Sequence, residues 1–147
     1  MAMRLEFMIE IHRSPREVFA LVGNLENDPK WQSAVITAKK VTAGPVGEGT
    51  RFRHVMNLMG RRTDVDLEIV GHEPERHYTL KGACGPLLFG TEVRFERIAL
   101  GTRLVTLIEV HAKGVLRLAA MALSNHRKSE IEADLHRLKL LMESGAI

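Results

Sequence analysis

The chain has 147 residues, 45% hydrophobic and 27% charged, the balance of an ordinary globular protein long enough to bury a core. Its net charge is only +3, Lys and Arg are scattered, and aromatic residues make up 5%, which speaks against the basic stripe or stacking platform of a nucleic-acid binder. No apolar run approaches the ~20 residues of a membrane span, and the single cysteine, Cys84, leaves no disulfide framework and no cysteine-built metal site.

Met1 to Glu10 alternates apolar and charged residues, whereas a secretory signal has a continuous apolar core, so a cytoplasmic location is expected. Within it, Leu5, Phe7, Ile9 and Ile11 repeat with period two, a half-buried strand. Ser14-Pro15-Arg16-Glu17 follows as a capping box with proline at the first helical position, predicting a short helix from Pro15 to about Val22 that Gly23 stops. Asn24 is placed to cap a second short helix ending near Asp28-Pro29.

A run of strands comes next. Val35 to Val41 is one, and Gly44 to Gly49 is turn material. Thr50 to Leu58 alternates, with Phe52, His54, Met56 and Leu58 opposite Arg51, Arg53 and Asn57. Met59-Gly60-Arg61-Arg62 reads as a hairpin turn. Together with Arg51 and Arg53 it is the densest basic group, read as a solvated sheet face with a basic tip. Thr63 to Val70 sets Val65, Leu67 and Ile69 against acidic neighbours. Tyr78 to Leu80 is a short strand, Gly82 to Pro86 a loop, and Leu87 to Ile98 a strand carrying Phe89, Thr91, Val93 and Phe95 on one face. Leu100-Gly101-Thr102 turns into a last strand from Arg103 to His111. Successive hairpins with short turns imply an antiparallel sheet with one wet and one dry face.

Val115 to Glu143 reads as one long helix, ended by Gly145. Ile131, Leu135, Leu138 and Met142 form a core stripe. Continued backwards, the stripe passes through Arg127, Ser124, Leu123, Ala120 and Leu116, where small and polar residues suit a cavity better than a core. The outer side of the helix start, Leu118, Ala119 and Ala122, is apolar as well. This side is expected to cover a neighbouring element, to meet a second copy in a homodimer, or simply to be better buried than the rest of the helix.

Several segments stand out in this order: Ser14-Pro15-Arg16-Glu17-Val18-Phe19, Asn27-Asp28-Pro29-Lys30-Trp31, Gly47-Glu48-Gly49-Thr50-Arg51-Phe52, Gly101-Thr102-Arg103-Leu104, Lys113-Gly114-Val115-Leu116-Arg117-Leu118 and Leu138-Lys139-Leu140-Leu141-Met142-Glu143. With strand, two short helices, six strands and a long helix, the chain resembles the START-related helix-grip superfamily (SRPBCC), and within it the polyketide cyclase/dehydrase branch. The resemblance implies an α+β helix-grip fold over residues 1–147 as a single domain: a curved antiparallel sheet of about seven strands around the C-terminal helix. It also implies an apolar internal cavity without a cofactor. Members bind fatty acids, sterols, isoprenoid quinones or polyketides, and some are aromatase/cyclases.

His72-Glu73-Pro74-Glu75-Arg76-His77 is not a zinc motif, because the second histidine comes one residue late and Pro74 would break the required helix. No metal site is expected. The polar residues expected on the dry face are His54, Tyr78 and Thr91, met from the helix by Ser124 and Arg127. The expected cavity wall adds Trp31, Phe52, Met56, Leu67, Phe89, Ala120 and Leu123. The first functional reading is binding of a hydrophobic or aromatic small molecule oriented by a few polar groups. The alternative is a metal-independent cyclase or dehydratase using His54 and Tyr78 for proton transfer and Arg127 to stabilise an enolate. A third reading is a quinone or lipid carrier that docks on a membrane or protein through the start of the last helix.

Overall fold

The computed structural model describes residues 2–147. Strand β1 (Ala2–Ile11) leads into helix α1 (Pro15–Val22), which begins with the expected capping box. The Ser14 hydroxyl accepts from the Glu17 amide, and the Glu17 carboxylate accepts from the Ser14 amide. Asn24 caps the next segment by accepting from the Glu26 amide at 3.2 Å. That segment, Leu25–Lys30, is a 3-10 helix that runs through Pro29 instead of stopping before it. The amides of Trp31 and Gln32 both donate to the Asp28 carbonyl, at 3.2 and 2.8 Å, which carries the turn past a proline that has no N–H to give.

Six strands follow: β2 (Val35–Lys40), β3 (Arg51–Leu58), β4 (Arg61–Glu73), β5 (His77–Cys84), β6 (Leu87–Ile98) and β7 (Gly101–His111). They form one seven-stranded antiparallel sheet in the order β1-β7-β6-β5-β4-β3-β2. Helix α2 (Leu116–Glu143) packs Leu135, Leu138 and Met142 against the buried face of this sheet. This is the α+β helix-grip architecture.

Three turns are tighter than the sequence pattern suggests. The β3–β4 turn is Met59-Gly60 alone, both with positive φ (52° and 83°), the geometry of a two-residue hairpin, so Arg61 and Arg62 already belong to β4. Gly82, Ala83 and Cys84 continue β5 instead of forming a loop, and only Gly85-Pro86 turns. Gly82 is required there, because a Cβ would lie 2.2 Å from the Phe89 ring across the strand pair. Between β6 and β7, Ala99-Leu100 makes the turn and β7 starts at Gly101.

The outer face is polar and cross-linked by ion pairs between register partners, Arg51 with Glu68 at 3.3 Å and Arg53 with Asp66 at 3.0 Å. The inner face holds the core, with Ile11, Phe52, Ile69, Leu104 and Leu138 almost fully buried. The C-terminus of α2 closes with a Schellman pair, Ala146 N–H to Leu141 C=O at 2.9 Å and Gly145 N–H to Met142 C=O at 3.1 Å, with Gly145 at φ 77°.

Candidate functional site: a cavity under the first half of the long helix

The two halves of α2 meet the sheet differently. The second half fills the space beneath it with Leu135, Leu138 and Met142. The first half presents Leu123, Ser124 and Arg127, and between them, the 3-10 helix and the sheet lies a cavity of about 210 Å³. The wall is mostly apolar. Alternation delivers Met56 and Leu58 from β3, Val65 and Leu67 from β4, Phe89 and Val93 from β6, and Leu104, Ile108 and Val110 from β7.

At its polar end, the His54 Nε2 and the Asp28 Oδ2 are 2.9 Å apart, with only 2% and 6% of the two residues exposed. Asp28 arrives there because Leu25 and Asp28 lie one 3-10 turn apart, on the same edge of the segment, and Leu25 is buried in the core. Burial pushes the Asp28 carboxyl up to about 6, against the hydrogen bond and charge of His54, which pull it down. Tyr78 stands nearby. Its hydroxyl donates to the Val22 carbonyl at 3.4 Å, and burial, with Asp28's charge second, raises its pKa far above the ordinary phenol value. The phenol therefore stays protonated.

Near the helix side, Arg127 is ion-paired with Glu130, one turn along α2. Asp134 accepts from the Ser33 amide at 3.2 Å, which ties α2 to the chain just after the 3-10 helix, and burial raises its carboxyl pKa. Three buried polar atoms on cavity-wall residues have no hydrogen-bond partner among the described residues: His54 Nδ1, Trp31 Nε1 and Asp134 Oδ2. Cys84 also lines the cavity, and burial raises its thiol pKa, the opposite of what a reactive thiolate needs.

Of the residues singled out in the sequence, Trp31, His54, Met56, Leu67, Tyr78, Phe89, Thr91, Leu123, Ser124 and Arg127 line this cavity. Two do not reach it. Phe52 is 1% exposed and sits in the packed core, with its ring edge-on to His54 at 6.4 Å. Ala120 ends in a small separate cluster with Leu87 and Ala112, its methyl too short to extend further. Sequence reasoning missed Asp28 and Asp134. Each had a signal: Asp28 is spaced i+3 from Leu25, and Asp134 is spaced i+3 from Ile131 on the buried stripe of α2.

A family profile described as polyketide cyclase / dehydrase and lipid transport matches residues 3–143, and the chain belongs to this family. No protein of curated function matches the sequence. Among solved structures, the Zhui aromatase/cyclase from a Streptomyces species is similar, with a TM-score of 0.80 and 12% identity over 100% of this chain and 97% of that one. A START superfamily protein from Mycobacterium smegmatis superposes with a TM-score of 0.77 and 10% identity, over 95% of this chain and 98% of that one. Identities this low carry the fold alone. Among the described residues, no helix is long and apolar enough to cross a membrane.

Proposed function

We propose that this protein binds a small hydrophobic or aromatic molecule in the cavity under α2, with the polar end at Asp28 and His54 orienting it. The observation that carries this reading is the cavity itself, about 210 Å³ with a mostly apolar wall. Its volume sets the ligand's size. It lies below the ~300 Å³ of ordinary drug-sized sites, but above the roughly 150 Å³ of an apolar cavity that holds benzene. One or two fused rings, or a short isoprenoid or acyl chain, match it. A sterol or a full polyketide would require α2 to move outward.

An NMR titration with one- and two-ring aromatics tests the proposal. Resonances of Met56, Thr91, Phe89 and Leu123 are expected to shift together and saturably. Shifts confined to surface residues, or none across the series, would sink it.

A second reading, a metal-independent cyclase or dehydratase, is favoured by one observation: a buried carboxyl–imidazole pair at 2.9 Å whose acid titrates at about 6. Such a pair can hold or pass a proton near neutral pH. The proton chemistry then belongs to Asp28 and His54. Tyr78 keeps its proton, and the charge of Arg127 is already matched by Glu130. Turnover of a bound compound by wild type, lost in both His54→Ala and Asp28→Asn while binding persists, is the expected result for this reading. Equal turnover in the variants would remove it.

A further inference from the structure

Strands β3, β5 and β7 run in the same direction, so the β3–β4 turn, the β5–β6 turn and the start of α2 share one end of the molecule. That end is apolar on its surface. Met59 in the β3–β4 turn is 51% exposed, Val115 at the N-cap of α2 is 86% exposed, and Leu118 on α2 is 73% exposed. Val115, Leu118, Ala119 and Ala122 follow the i, i+3, i+4, i+7 pattern of one helix face, and the opposite face, through Leu116 and Leu123, packs on the sheet. The first turns of α2 are thus apolar on both sides, and only one side is covered.

The charged side chains next to these apolar tips in the chain are basic. Arg61 and Arg62 follow Met59-Gly60, and Lys113 lies two residues before Val115, all exposed. No acidic residue occurs between Glu109 and Glu130. Two elements far apart in sequence therefore bring the same pairing, an apolar tip beside cationic side chains, to one end. The cavity wall reaches this end too, through Leu58 and Cys84, each adjacent to a turn, and Leu123 on α2.

We infer that this end docks on a membrane surface containing anionic lipid, with Met59, Val115 and Leu118 entering the interface and Arg61, Arg62 and Lys113 meeting the headgroups. A second copy fits less well. A two-fold interface brings the same patch against itself, so the basic borders would face each other, and Glu109 at the end of β7 is already ion-paired with Arg4 at 3.3 Å. Separated apolar tips on a turn and a helix suit a fluid interface, which needs no matching pocket. Docked in this way, the protein would exchange a hydrophobic ligand with the bilayer without exposing it to water; that consequence rests on the proposed cavity function, whereas the docking does not.

The test is co-sedimentation with phosphatidylcholine vesicles with and without phosphatidylglycerol, at low and high salt. Wild type is expected to partition onto the anionic vesicles only, and to come off as salt rises. Arg61→Gln and Lys113→Gln should each lower partitioning roughly fivefold, and Leu118→Asp roughly tenfold or more. All three positions are exposed, and thermal melts of the variants should match wild type. No partitioning at low salt, equal partitioning onto pure phosphatidylcholine, or a wild-type dimer that Leu118→Asp dissociates would overturn the inference. Aromatic-ligand binding, followed in the same variants, should stay unchanged. Lost docking with intact cavity binding in wild type would therefore remove the membrane surface and leave the cavity standing.

Discussion

Helix α2 is one continuous element with two kinds of interior beneath it. From Leu135 to Met142 its inward stripe is large and apolar, and the sheet closes against it: Leu138 has no exposed surface and Met142 only 5%. From Leu116 to Arg127 the same stripe carries Ala120, Ser124 and Arg127, and a cavity remains. The backbone does not change between the halves; the side chains do. A helix that only stabilised the fold would carry large apolar residues along its whole inner face, because each filled position contributes packing energy. The shift to small and polar residues halfway along is what separates a supporting segment from a site.

The comparison can be broken most forcefully at Leu138. Leu138→Ala should lower unfolding free energy by about 2–5 kcal/mol in urea titrations, whereas the same change at exposed Leu118 should stay within about 0.5 kcal/mol. Similar losses at both positions would mean that the helix is not divided as described.

Asp28 offers the next largest effect, and its sign is set by burial. Its folded pKa of about 6 lies above the ordinary 3.8, so the folded state holds the proton more tightly than the unfolded chain. The resulting stabilisation is present below pH ~4 and is lost as pH rises through ~6. The stability of wild type minus that of Asp28→Asn should therefore fall across this window, by an amount on the order of 2 kcal/mol. A flat difference, or one that rises with pH, would show that Asp28 does not titrate as a buried acid.

Ser124 tests the cavity with the smallest change in stability. Filling a packed core with a larger side chain costs about 1–3 kcal/mol, whereas filling a cavity commonly adds about 0.5–2 kcal/mol. Ser124→Leu is expected to leave the melting temperature unchanged or raised, and to weaken ligand binding more than tenfold. A clear drop in melting temperature would place Ser124 in a packed interior instead.

The architecture was readable because its signals are local and redundant. The Ser14–Glu17 capping box, period-two alternation in β3 and β6, and the Leu135-Leu138-Met142 stripe each name an element and its buried face. Alternation along β3 also placed His54 inside, next to Met56. Turn lengths were less legible. Met59-Gly60 and Gly85-Pro86 are each two residues long, and the neighbouring arginines and small residues looked like loop while their backbones were already paired. The polar end of the cavity was the hardest to read. Asp28 precedes a proline at the expected end of a short helix, and its importance comes from His54, 26 residues away, meeting it at 2.9 Å. Tertiary pairing of this kind leaves only a faint local trace, here the i+3 spacing from Leu25. Phe52 and Ala120 show the complementary limit: alternation and helix periodicity give the face of a residue, but not whether the space in front of it is filled.

The most direct measurement is native mass spectrometry of wild type and Ser124→Leu, purified side by side from the protein's own cells under conditions that preserve bound small molecules. Wild type should carry an apolar compound of defined mass and Ser124→Leu should not. If wild type carries nothing and none of the one- and two-ring aromatics binds it, or if both proteins carry the same compound equally, the cavity under the first half of α2 is not the ligand site.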